Sequence, residues 1–193
     1  VFKWIKRLVL LALLVVAVVA GMGFVNMGSA ESNRQKLLDQ YTELQALLLA
    51  GDAEAESVSG WSVREHIEHL LRANEGTLAS IALNREPDPV EPKALMGRVV
   101  LATGFIPRGK GQAPDGTLPE GLSGLELGAR LLALEVALRA LDVEAIAAEG
   151  RVVANHVVFG GFTAADWLRL MVVHDEHHMK IIADIKAQAS SGS

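Results

Sequence analysis

Six histidines are the residues of this 193-residue chain most suited to chemistry, and the chain has no cysteine. Five of them fall in two groups: His66 and His69, then His174, His177 and His178. On a helical wheel of about 100° per residue, His174 and His178 lie side by side in a stripe formed by Trp167, Leu170, Met171, Ile181 and Ile185. His177 falls at the edge of that stripe. The i, i+4 pair therefore points into a core, where two ring lone pairs one turn apart can share an ion. Asp175 and Glu176 fall off the stripe and are not expected to ligate. Burying three imidazoles without partners costs on the order of several kcal/mol, whereas one divalent cation satisfies all three lone pairs. The spacing thus points to a three-histidine metal site, with His174 and His178 opposed by a histidine from the first group. Disulfides, thiolate zinc sites and cysteine nucleophiles are excluded.

Four amphipathic helices must position these rings. The first covers Asn33 to Leu49, with Leu37, Leu38, Tyr41, Leu44 and Leu48 at helical spacing and Gly51 as its stop. The second starts at a capping box, Ser62 to Glu65, and runs to Leu83. Glu65 is four residues before His69 and in reach as a general base, but the capping role already accounts for it. The third runs from Ser123, with Glu126 in the box position, to Ala148. The fourth runs from Thr163, with Asp166 in that position, to Lys186. No stretch alternates with period two long enough to demand a strand. The fold class expected is all-α, a four-helix bundle over residues 31–188, with residues 189–193 as a disordered tail.

All six prolines fall between Arg85 and Gly124. So long a connection is exceptional and usually a lid, a binding loop or disordered. One short helix, Lys93 to Thr103, is expected inside this proline-rich crossover. The run Ile106-Pro107-Arg108-Gly109-Lys110-Gly111 offers two cations and glycine-freed amides to an anion, although a solvated turn is the simpler reading. His156 precedes the fourth helix and reads as a loop-packing residue.

The first thirty residues carry Lys3, Lys6 and Arg7 and no acid, and Leu8 to Ala20 is wholly apolar, continuing to Val25. Such a run is long enough for a transmembrane helix. The triplet Gly28-Ser29-Ala30 also fits a signal peptide cleaved near Ala30, but the length of the run favours an uncleaved signal anchor. Either way the basic end stays cytoplasmic, so the expected location of the domain is outside the cytoplasm, membrane-anchored or, after cleavage, secreted. The remaining residues hold 15 basic groups against all 23 acids. That balance argues against a nucleic-acid partner. Assembly as a homodimer is left open.

The segment Trp61-Ser62-Val63-Arg64-Glu65-His66-Ile67-Glu68-His69-Leu70 resembles the start of the second helix in the DinB/YfiT-like metalloenzyme superfamily. The stretch His156 to Thr163, then Trp167 and His174-Asp175-Glu176-His177-His178, is similar to that superfamily's lead into its last helix and its HxxHH signature. The insertion with Gly97-Arg98 and Ile106-Pro107-Arg108 resembles an uncharacterised branch of it. The resemblance implies a four-helix bundle and a divalent metal ion, Zn²⁺ or Ni²⁺, held by His69, His174 and His178. His66 is then a reserve ligand or a neighbour packed on Trp61, and His177 a neighbour or exposed. The wheel accommodates His69 less well, since the apolar face of Val63, Ile67, Leu70, Leu78 and Ile81 centres away from it. Ile181 stands where members commonly carry Gln. Implied activities are metal-dependent hydrolysis or transfer on a small-molecule substrate, with a thiol-dependent S-transferase or a non-catalytic metal sensor as alternatives. An exported domain would not meet cytoplasmic thiols, which weakens the thiol reading.

Overall fold

The computed structural model describes residues 27–109 and 111–191. The apolar run expected to span a membrane lies outside the described residues, as does Lys110. Among the described residues no helix is long and apolar enough to cross a membrane.

Among the described residues six helices form, most of them begun by a recognisable signal. In α1 (Ala30–Leu49), the Ser29 hydroxyl accepts from the Ser32 N–H. The α2 helix (Val63–Leu83) has the complete capping box: Ser62 Oγ accepts from Glu65 N, and Glu65 Oε2 accepts from Ser62 N. It ends at Asn84, in the left-handed region at φ 46°. The crossover helix α3 (Leu95–Thr103) ends at Gly104, also left-handed. A 3-10 turn at Asp115–Thr117 follows. The α4 helix (Gly124–Ala140) repeats the box with Ser123 and Glu126. A short α5 (Val143–Ala148) is capped by Asp142, which accepts from Ala145 N at 3.0 Å. In α6 (Ala164–Ser191), Thr163 and Asp166 exchange the same pair of bonds.

The four long helices pack so that α6 and α4 each lie against both α1 and α2. The main core is built from leucine and isoleucine stripes, including Leu37, Leu44, Ile67, Leu70, Leu127, Leu138, Val172 and Ile185. A second cluster of Val100, Leu101, Phe162, Leu170 and Val173 fastens α3 to the outer side of α6.

Three expectations are corrected. The third helix does not run unbroken to Ala148: Leu141 turns extended, and α5 folds back toward the start of α1, where Glu144 accepts from Glu31 N. The domain is not purely helical. A hairpin of β1 (Val152–His156) and β2 (Gly160–Thr163) leads into α6, with a register irregularity between Val152 and Ala154. Its strands are too short for an alternation to register in the sequence. The last helix runs on to Ser191, so Ala189–Ser191 are helical.

Candidate metal centre

The capping box fixes where α2 begins, and so the height of His66 and His69 in the bundle. The chain before it is held by Asp52 Oδ1, which accepts from Arg64 N at 2.9 Å, and by Ala53 O, which accepts from Val63 N. The middle of α6 crosses this part of α2 and brings His174 and His178 opposite. Among the described residues, His69, His174 and His178 form a cluster in which one nitrogen from each ring lies within 4.8 Å of the others.

The three rings meet as a compact set. Centroid separations are 5.1 Å for His69 and His174, 4.8 Å for His69 and His178, and 4.7 Å for His174 and His178. His69 Nδ1–H donates to the Thr117 carbonyl at 2.9 Å. That bond fixes the tautomer and leaves the Nε2 lone pair facing inward. His69 Nε2 is 3.3 Å from His174 Nε2. Two nitrogens bound at about 2.0–2.1 Å to one tetrahedral ion lie about 3.3–3.4 Å apart, so the His69 and His174 pair stands at the spacing of two ligands of one divalent cation, with a His178 nitrogen within 4.8 Å of both. Trp61 covers the group, its ring centroid 5.0 Å from His69 and 6.4 Å from His178.

Burial keeps these rings neutral. It pulls His174 down to about 3, helped by the neighbouring His69 and His177, and it lowers His69 and His178 as well. His66 falls to about 4 for the same first reason. At neutral pH every ring therefore presents a lone pair. His69 and His178 are buried, whereas His174 keeps partial access to solvent.

The other residues singled out from the sequence have definite places. His66 is buried against Trp61 at 5.4 Å, and its Nδ1 lies 2.8 Å from His178 Nδ1. His177 is half-buried beside the Ile106 backbone, its ring 5.2 Å from His178. His156 is a strand residue: its Nδ1 accepts from Val158 N and Phe159 N, and the ring stacks on Phe159 at 4.3 Å. Glu65 Oε2 is occupied by the Ser62 N–H of the capping box, and Ile181 is core. Arg108 is paired with Asp184 at 2.7 Å, which occupies one of the two cations assigned to an anion loop.

Two buried carboxylates went unforeseen. Asp175 is not off the core: it is fully buried, because α1 covers that side of α6, and both its oxygens accept from Asn74 Nδ2 at 3.0 and 3.1 Å. Desolvation raises it to about 8. Glu68 is 1 % exposed and accepts from the N–H groups of Glu120, Gly121 and Leu122 and from Arg72. The one available signal was chemical: a charge beside a histidine motif on an otherwise apolar helix needs a partner.

No curated protein and no solved structure matches the chain. Among protein families, the DinB superfamily matches residues 31–182, the stretch that contains both histidine groups, the crossover and the hairpin. On that match the chain belongs to the DinB superfamily.

Proposed function

We propose that the chain is a divalent-metal-dependent enzyme of hydrolase or transferase type, acting on a small-molecule substrate, with Zn²⁺ or Ni²⁺ held by His69, His174 and His178. The observation that carries this reading is the convergence of three neutral imidazoles, one nitrogen each within 4.8 Å of the others. A divalent ion bound by three neutral donors keeps most of its charge and supplies Lewis-acid activation to a water or a substrate atom. The chain's own residues do the rest. Thr117 O orients the His69 ring and Trp61 shields one side of the set. A non-catalytic metal sensor is the second reading.

Metal analysis of the purified chain after growth with added Zn²⁺ and Ni²⁺ tests the site. The expected result is close to one ion per chain, with loss in each of His69→Ala, His174→Ala and His178→Ala. Near-zero metal in the unaltered chain overturns both readings, and a retained ion with no exchangeable position favours the sensor. We propose also that the domain is held outside the cytoplasm by its apolar leader, for which reporter fusions after Ser191 give the test.

A further inference from the structure

His178 differs from the other two rings of the cluster in having a fourth histidine, His66, hydrogen-bonded to it. His66 Nδ1 lies 2.8 Å from His178 Nδ1, and His66 Nε2 lies 2.9 Å from Ser59 Oγ. That hydroxyl also accepts from the Trp61 N–H at 3.1 Å. The three side chains form a chain running from the cluster to the half-exposed loop before α2.

Such a chain has two polarities. In one, Ser59 O–H donates to His66 Nε2, and His66 Nδ1–H donates to His178 Nδ1. The proton of His178 is then on Nε2, where it blocks that lone pair. In the other, His178 Nδ1–H donates to His66 Nδ1, and His66 Nε2–H donates to Ser59 Oγ. Only the second frees His178 Nε2 for an ion. The Trp61 N–H takes one lone pair of Ser59 Oγ and leaves the other free to accept from His66 Nε2–H in the second polarity.

We propose that His66 is the positioning residue of the His178 ligand, with Ser59 as its outer partner, and that metal loading selects the polarity in which the protons run from His178 toward Ser59. The inference rests on the three-histidine reading above and assigns this fourth ring a role outside the ligand set. The bond fixes both the tautomer and the rotation of the His178 ring, as outer partners of metal-bound imidazoles generally do. His66 is 2 % exposed, so solvent does not substitute for it.

The test compares Zn²⁺ affinity, by competition with a chromophoric chelator, in the unaltered chain and in His66→Phe, His66→Asn and Ser59→Ala. Phenylalanine fills the space with no acceptor, and affinity is expected to fall about 10–100-fold. Asparagine carries its amide oxygen where histidine carries Nδ1, and is expected to restore most of the loss. Ser59→Ala gives a smaller loss. Proton–nitrogen correlation spectra of the Zn²⁺-loaded chain should place the His66 proton on Nε2. Unchanged or tighter binding by a folded His66→Phe chain, or a loaded spectrum with the proton on His66 Nδ1, overturns the inference alone, provided His178→Ala still abolishes binding. Failure of the unaltered chain to take up Zn²⁺ overturns the ligand reading and this inference with it. If His66→Phe does not fold, the asparagine variant, the Ser59 variant and the spectrum decide.

Discussion

At the residue scale, Glu68 does more for the site than its place between two histidines suggests. Its carboxylate takes three consecutive backbone N–H groups, of Glu120, Gly121 and Leu122, at 2.8–3.0 Å. The next residue, His69, takes the Thr117 carbonyl. Two neighbours on α2 thus grip one returning segment of the crossover, and these hydrogen bonds hold Glu68 below the usual carboxylate range against the effect of its burial. Glu68→Ala leaves the three donors without their acceptor. Hydrogen bonds to charged groups contribute about 1.5–3 kcal/mol, so we expect a loss of about 3 kcal/mol in urea unfolding and faster amide exchange at Glu120–Leu122. Unchanged exchange there would show that the carboxylate does not hold the segment. The clustered pair His174 and His178 was legible because i, i+4 spacing in a narrow apolar stripe is itself the geometry of a shared ion, whereas His69 was singled out by the resemblance. Glu68, Asp175 and the burial of His69 were not. A wheel weighted by apolar residues finds one face, and α2 is covered by α6, α4 and the crossover on several.

At the element scale, the caps carried most of the sequence information. Ser62–Glu65, Ser123–Glu126 and Thr163–Asp166 each start a helix where expected, because reciprocal cap bonds are local and need no tertiary contact. The hairpin was invisible for the opposite reason, since its pairing is justified by what docks on it. Gly161 N donates to Glu91 O, Ala94 N donates to Phe159 O, and an added Cβ at Gly161 would collide with Glu91 O. A Cβ at Gly97 on α3 would meet Phe159 Cβ at 2.9 Å and Phe162 at 3.1 Å. Glycine at 161 and at 97 therefore lets the crossover lie directly on the hairpin. Gly161→Ala should push the crossover off, loosening α3 while the four long helices remain. The expected signature is proteolysis between Arg85 and Thr103 with little change in far-ultraviolet circular dichroism. Full protease resistance of the variant would place the anchoring of α3 in the Val100–Phe162–Val173 cluster instead.

At the scale of the whole molecule, the buried histidines and the raised Asp175 carboxyl set the pH response of the metal-free chain near neutrality. The histidines act on the acid side. Unfolded, each takes a proton near 6.5, whereas burial lowers His66 to about 4 and His174 to about 3, and lowers His69, His156, His177 and His178 too. Below 6.5 the unfolded chain therefore binds more protons, and stability falls as pH drops through that window. Asp175 acts with the opposite sign. Its ordinary value is 3.8 and its folded value about 8, so the folded chain holds the extra proton and stability falls as pH rises between the two. Where the windows overlap the rings together outweigh one carboxyl, and because each ring is still half protonated in the unfolded chain at 6.5, the carboxyl prevails only above about pH 7. The urea midpoint of the chelator-treated protein should therefore peak at about pH 7 and decline on both sides. Asp175→Asn, which keeps an oxygen for Asn74 Nδ2, should abolish the alkaline decline and leave the acid one. Bound Zn²⁺ should raise the midpoint on the alkaline side and steepen its fall on the acid side, because the ion requires the unprotonated rings. A midpoint that still rises between about pH 7.5 and 8 in the unaltered metal-free chain would mean that Asp175 is ionised in the folded bundle.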